Sequence, residues 1–347
     1  MSQPFFSIGV TTYNRQDLLK ECICSILQQT FSDFEVIIGN DYSEKLTLED
    51  LGISDPRVRI VNYEENMGEL NNMNVLLKLG RGKYFTWQFD DDLYSPSFLE
   101  IVYSLLVKND FPLCAFTSFR CIYGRETPNI KCNIIDEKKI FSGCEFLERY
   151  LSGEIRAMGC TGIYNTDYLR KNGGVKRLGR GPFALYSEYL LLIQSGLVDE
   201  VVYINAPLVF YRVHDSSWSC TNTQAEEYKY AGENLLKESI VMLTSSLALR
   251  SKLEKNLFHI LKLILNNYVI KFASSSKTGL IKEVDSYFWR LIEEHIQPLN
   301  MRHGLRFSLL QIFSLRLVLL RLYIKQKLKM CLPVFIFRYA HFMRSRI

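Results

Sequence analysis

The run Tyr84–Phe89 is short, apolar and rich in aromatics, and it passes without a break into Asp90-Asp91-Asp92. Three adjacent carboxylates repel one another unless they share a cation, and an apolar strand ahead of them with Pro96 behind fixes them at the carboxyl edge of a sheet. Earlier runs repeat the pattern: Phe6–Thr12, Phe34–Gly39 and Val58–Tyr63 are continuous, apolar and rich in β-branched residues, which predicts further buried strands. Between them, Asp17–Gln28 sets Leu18, Leu19, Cys22, Ile23 and Ile26 on one helical face, and Leu70–Leu79 reads as a helix closed by Gly80-Arg81-Gly82. Ser95-Pro96 is expected to open another helix with proline in its first turn. This βαβ rhythm predicts an α/β fold with a mostly parallel sheet flanked by helices, and ligands in such sheets lie beyond the carboxyl ends of the strands.

Length allows more than the sheet. A chain of 347 residues, 48% of them hydrophobic, can bury one large core or two smaller ones and is not a disordered composition. Strand-like runs at Leu113–Phe119 and Val201–Tyr211 bracket a mixed middle section, and the pattern from Ala225 onward is helical and long. The expected organisation is therefore a sheet domain over residues 1–220, in two parts, 1–110 and 111–220, followed by a helical region over 221–347.

Polar groups gather at the expected strand ends. Thr11, Thr12, Tyr13 and Asn14 follow the first strand and Asn40-Asp41 the second, which supplies a hydroxyl, an aromatic face and a carboxylate of the kind that hold a pyrimidine base and ribose. Asn and Asp are also ordinary turn residues, so no single one of them carries the argument. The aspartate cluster has an ordinary alternative too, a solvated turn with a helix cap. As a metal site it would suit Mg²⁺ or Mn²⁺, which bind oxygen and keep positions open for phosphate.

In their order along the chain, Ser7–Arg15, Ser25–Thr30, Phe34–Asp41, Asn66-Met67-Gly68 and Asp90-Asp91-Asp92 resemble the family 2 inverting glycosyltransferases of the GT-A fold, over roughly residues 5–220. The resemblance implies a catalytic domain with a Rossmann-like nucleotide-binding half over residues 1–110 and an acceptor side over 111–220, and a nucleotide-sugar donor, UDP-linked by expectation. It implies that Thr11, Tyr13 and Asp41 hold the uridine, that Asp90 meets the ribose or the metal, and that Asp91 is the principal metal ligand with Asp92 assisting. Two positions depart from the family pattern: Asn40 stands where an aspartate is usual, and Met73 where an arginine is often found.

Inversion needs a base on the acceptor side. Tyr186–Leu192 matches the helix that opens on an acidic pair in the family, with Ser187 in place of the first acid, so Glu188 is the expected general base. A glutamate in a helix's first turn is also favoured by the helix dipole alone. Tyr211-Arg212-Val213-His214, followed by serines, resembles the segment that ends the catalytic domain. It nominates Arg212 to neutralise leaving-group charge and His214 as a metal ligand or donor, against the plain alternative of a hydrogen-bonded histidine. Gly159-Cys160-Thr161-Gly162 is placed at the acceptor wall, where small residues permit close backbone approach.

The net charge of +5 is unevenly placed. No Asp or Glu follows Glu294, while ten arginines and lysines from Arg302 to Arg346 do. No uncharged apolar stretch is long enough to span a bilayer. Leu305–Lys329 instead sets Ile312, Leu315, Leu319 and Leu322 on an uncharged arc among cations, and Val334–Met343 interleaves Phe335, Phe337, Tyr339 and Phe342 with arginine. That is the composition of an interfacial helix on an anionic membrane; packing on the catalytic domain and phosphate tracking on nucleic acid are the alternatives, and nucleic acid is not an expected partner. With nine scattered cysteines read as reduced thiols and no leader-like N-terminus, the expected place is the cytoplasm, at the inner face of the cell membrane. The expected activity is inverting transfer of a sugar to a hydroxyl on a lipid-linked saccharide or polysaccharide precursor. A nucleotidyltransferase would want a glycine-rich phosphate loop after the first strand, and Thr11–Arg15 has no glycine. A non-catalytic nucleotide-binding assembly protein is the remaining alternative.

Overall fold

A computed structural model describes residues 3–124, 126, 138–214, 224–274, 280–299 and 324. The described residues form two compact units, one of residues 1–221 with 242–250 and the other of 222–241 with those from 251 onward. The basic segments Leu305–Lys329 and Val334–Met343 lie, but for Ile324, outside the described residues.

The first unit opens β1 (Phe6–Thr12), α1 (Gln16–Leu27), β2 (Phe34–Asn40), β3 (Val58–Asn62), α2 (Glu69–Leu79) and β4 (Tyr84–Phe89). Every residue of β1 and β2 is buried, as their unbroken apolar runs require of strands covered on both faces. A two-residue strand β5 (Leu93–Tyr94) and α3 (Phe98–Lys108) follow, then β6 (Cys114–Tyr123), β7 (Lys138–Ser142), α4 (Gly143–Ser152), β8 (Ile163–Asn165), α5 (Thr166–Lys171), α6 (Ser187–Gln194) and β9 (Glu200–Val213). Pro96 does not open the helix. The Ser95 N–H is taken by the Leu208 carbonyl at 2.8 Å, which extends the chain beside β9, and α3 begins only at Phe98.

The sheet runs β3-β2-β1-β4-β8-β6-β9-β5, with β7 also on β9. Its first four strands are parallel, as are β6 and β9, whereas the short β8 joins the two sets antiparallel to both β4 and β6. Side chains alternate along β4: Tyr84 packs with Phe6, Ile8, Val10, Ile23 and Leu99 on the face covered by α1 and α3. Phe85 and Trp87 turn to the other face, with Leu76, Phe146, Leu191 and Leu192 of α2, α4 and α6. This α/β sandwich, with its central mostly parallel sheet, is the architecture that the alternating pattern predicts.

The second unit is helical. Its elements are α7 (Ala225–Ser245, whose last turn belongs to the first unit), α9 (Leu253–Ser274) and α10 (Leu280–Leu291), with α8 (Leu247–Arg250) in the first unit. Within it, Tyr287 donates from its hydroxyl to the Lys229 carbonyl at 2.8 Å, and Arg290 pairs with Glu233 at 2.6 Å. No helix among the described residues is long and apolar enough to cross a membrane.

Candidate active site

Strand register brings the polar ends together. Thr12 of β1 stands level with Asn40 of β2, and Thr11 with Phe89 of β4, so the residues that follow β2 and β4 flank the turn after β1. A shallow depression lies there, lined by Thr12, Asn14, Arg15, Asn40, Tyr42 and Glu44 among others. Tyr13 is half exposed and meets Tyr42 edge to face at 5.3 Å, which presents an aromatic surface beside the depression. Thr11 is buried, and Thr12 rather than Thr11 lines the depression. Asn40 holds the depression's rim: its Nδ2 donates to the Glu44 carbonyl and to Asn62 Oδ1, both at 2.8 Å. Asp41 gives both carboxylate oxygens to backbone N–H groups, Oδ1 to Met67 at 2.6 Å and Oδ2 to Gly68 at 2.9 Å, so it clasps the turn that enters α2.

The three aspartates separate into three environments. Asp90 is wholly buried and takes the Thr12 hydroxyl at 2.7 Å and Arg15 at 2.6 Å; burial pushes its pKa up to about 7 despite the arginine. Asp92 is also wholly buried. Its Oδ1 accepts the Arg212 N–H at 2.8 Å, its Oδ2 has no hydrogen-bond partner among the described residues, and burial followed by the charge of Asp91 raises its pKa well above the carboxylate range. Asp91 alone keeps some exposure, and its Oδ2 lies 3.1 Å from both Arg15 Nη1 and His214 Nε2. The carboxylates thus do not converge on one point. Among the described residues the one trio of ligand-type groups compact enough for a single ion is Glu233, Glu294 and His295 in the helical unit. There Lys237 and Arg290 already neutralise Glu233, at 2.8 and 2.6 Å. In the sheet unit, Asp91 with His214 is a carboxylate-imidazole pair at a partly open edge, while the unpartnered Asp92 oxygen is buried and forms no compact three-ligand group with them. The carboxylate-imidazole pair fits a divalent cation with positions left for phosphate oxygens.

Arg212 is not where the sequence expectation put it. Its side chain is 1% exposed, and its guanidinium is spent on the Asp91 carbonyl, the Gly124 carbonyl and Glu21 at 2.7–2.8 Å. The buried, fully bonded fork anchors the aspartate turn instead of facing a leaving group. The cation at the depression is Arg15, whose side chain is one-third exposed and bridges Asp90 and Asp91. Its sequence signal was its place, three residues past the end of β1, at the carboxyl edge of the sheet.

On the acceptor side, α6 starts from Tyr186, which sits in the left-handed region at φ 59°, and Ser187 ties the helix start to the Lys176 carbonyl at 2.7 Å. Glu188, one residue on, is pushed up to about 7 by burial and then by the neighbouring Glu69, while the Gly159 N–H opposes the shift. Gly159 has no room for a side chain, because a Cβ there would lie 2.0 Å from the Glu188 carbonyl oxygen. The expectation of close backbone approach at this glycine therefore describes its contact with α6. Glu69 was not singled out from the sequence; its signal was an acid in the first turn after Asn66-Met67-Gly68, itself part of the quoted resemblance.

A polar depression at the carboxyl edge of such a sheet, with an acidic strand end on one side and a partly buried glutamate on the other, is the arrangement of a GT-A glycosyltransferase. Residues 7–163, a little under half of the chain, match the model of glycosyl transferase family 2. A glycosyltransferase of Haemophilus influenzae is 37% identical over 110 residues, 31% of this chain and 34% of that protein, so this alignment spans about a third of the relative. Glycosyltransferase RP339 of Rickettsia prowazekii is 26% identical over 90% of this chain and 96% of its own length. The Escherichia coli protein WfgD, UDP-Glc:alpha-D-GlcNAc-diphosphoundecaprenol beta-1,3-glucosyltransferase, is 27% identical over 32% of this chain and 44% of its own. Among solved structures, S. aureus TarS 1-349 in complex with UDP-GlcNAc superposes with a TM-score of 0.64 at 18% identity, covering 92% of this chain and 89% of that one, a likeness of fold.

Proposed function

We propose that the chain moves a sugar from a UDP-sugar to a hydroxyl of a lipid-linked saccharide or polysaccharide precursor, with inversion, and that Glu188 is the general base. The observation that carries this reading is the Glu188 carboxylate, partly buried at the head of α6 with its pKa pushed up to about 7, where a base both exists ionised and accepts a proton near neutral pH. The names of two similar proteins support the donor and acceptor classes: WfgD acts with UDP-Glc on a diphosphoundecaprenol-linked sugar, and TarS binds UDP-GlcNAc.

In this reading Tyr13 and Tyr42 flank the uracil and the Asn40 rim closes over the nucleoside. Asp90, wholly buried, acts on the donor only through Arg15, which exchanges its two carboxylate partners for phosphate oxygens and neutralises charge that grows on the departing UDP. Asp91 and His214 would hold a divalent cation, with Asp92 behind them, and the imidazole favours Mn²⁺ over Mg²⁺. Such an ion, when bound, supplies positive charge to the diphosphate. Glu188 accepts the proton of the acceptor hydroxyl as that oxygen bonds to the anomeric carbon and the bond from that carbon to UDP breaks on the opposite face. The catalytic reaction belongs to the sheet unit, residues 1–220, and the basic segments after Arg302 hold the enzyme on the cytoplasmic face of an anionic membrane.

Transfer from UDP-sugars, read as UDP release with lipid-linked and soluble acceptors, tests the roles. Glu188→Gln and Asp91→Ala are each expected to lower turnover by at least about a hundredfold while UDP still binds to the Glu188 variant. Undiminished transfer in both would sink the assignment.

A further inference from the structure

The turn into α2 carries a second carboxylate to the acceptor side. Asp41 holds the Met67 and Gly68 N–H groups, and Gly68 takes a φ of 81° in which a Cβ would stand 2.3 Å from the Pro182 side chain. The turn is therefore pressed against the segment that leads into α6. There the Leu70 N–H donates to the Pro182 carbonyl and the Ala184 N–H to Glu69 Oε2, each at 3.1 Å. The Ala184 carbonyl in turn accepts the N–H of Ser187, the first residue of α6, at 3.1 Å. Glu69 thus stands on the backbone that places Glu188, and the two carboxylates are close enough to repel one another. The charges of both reach the buried Cys160 thiol.

We infer that Glu69 is a positioning residue for the acceptor reaction: it holds the 184–188 segment through Ala184, and its charge beside Glu188 sets how readily Glu188 takes a proton. The inference rests on the reading of Glu188 as the base. Two like charges in a site with little water do not ionise independently, so the proton affinity of one depends on the state of the other. The groups that face the pair from each packed element limit what else can act. Glu188 accepts the Gly159 N–H and lies within electrostatic reach of Tyr150 of α4, Tyr164 of β8 and Cys160. Burial raises the thiol and the Tyr150 and Tyr164 phenols well above their ordinary values, so these stay neutral through the working range. Glu69 is met by Arg15, which favours its ionised form, and by Asp91, which opposes it.

The test is a pH titration of the full chain labelled with ¹³C at glutamate carboxyls, the Glu188 signal being assigned by its loss in Glu188→Gln, alongside the pH dependence of kcat. In the unmodified chain the Glu188 signal is expected to titrate in two steps. In Glu69→Gln its midpoint and the acid limb of kcat are expected to fall together by on the order of one pH unit. A single-step Glu188 titration in the unmodified chain overturns the inference whether or not Glu69→Gln folds, and so does an unmoved midpoint in a folded Glu69→Gln. If the midpoint falls while Glu188→Gln still transfers sugar, Glu69 keeps its influence on Glu188 and the assignment of the base is what fails.

Discussion

At the scale of single residues, burial decides which of several similar side chains is available for chemistry. Asp90, Asp91 and Asp92 are consecutive, yet two point into the protein and only Asp91 faces the edge with His214. Asp91→Asn is expected to lower transfer by at least about a hundredfold with a melting temperature close to that of the parent, read by UDP release and thermal denaturation. Arg212→Ala should do the reverse of what an active-site arginine does. It strips a buried guanidinium from two carbonyls and Glu21, so a loss of about 3 kcal/mol in urea-denaturation stability is expected. Glu188 links chemistry to stability. Its folded pKa of about 7 lies above the ordinary glutamate value, so the stability it contributes is fully present below that ordinary value and is lost as pH rises through about 7. Glu188→Gln, which keeps the shape without the charge, is therefore expected to gain about 2 kcal/mol on the parent between pH 5 and pH 8, measured by denaturant unfolding at both. Of these placements, the carboxylates at the strand end and the histidine after β9 were legible in sequence. The burial of Arg212 was not, because the Tyr-Arg-x-His pattern is the same whether the arginine points to the depression or behind it.

At the scale of elements, the site is made of strand ends and one helix start, and both depend on fit. The register Thr12↔Asn40 and Thr11↔Phe89 makes the ends of β1, β2 and β4 level, so a one-residue slip would carry Thr12 and Asp90 out of hydrogen-bond reach. The start of α6 depends instead on Gly159. Gly159→Ala forces a methyl group against the Glu188 carbonyl, and the expected outcome is a loss on the order of 3 kcal/mol in stability together with a fall in kcat larger than any change in donor KM. Steady-state kinetics at saturating donor check the second half. The strands and α1 were legible from periodicity because each is buried by its own pattern. The late start of α3 was not: Pro96 is a helix-opening residue locally, and the hydrogen bond between Ser95 and Leu208 that holds the chain extended joins residues 113 positions apart.

At the scale of the whole molecule, ligand binding and membrane attachment are separable. UDP with Mn²⁺ at about a hundred times its Kd should raise stability by about 2.7 kcal/mol, and chelation of the metal should remove most of that gain, read as a melting-temperature shift that rises with UDP concentration. In the proposed reading, membrane attachment belongs to the cationic segments beyond Arg302. The full chain is expected to sediment with vesicles containing anionic lipid and to be released at high salt, and replacing Arg316 and Arg321 by glutamate should weaken that binding without changing UDP affinity.

Asp90-Asp91-Asp92 shows where each kind of information ends. Sequence by itself determined that an apolar strand delivers three carboxylates to the carboxyl edge of a sheet, that the chain has the family 2 pattern, and that an acidic residue opens a later helix, because periodicity and motif order are local properties of the chain. Only the tertiary structure decided that Asp91 alone is open, that Arg15 rather than Arg212 is the cation at the depression, and that Glu69 stands beside Glu188. These depend on burial and on contacts between residues as far apart in sequence as Asp91 and His214 or Glu69 and Ala184, which no local pattern encodes.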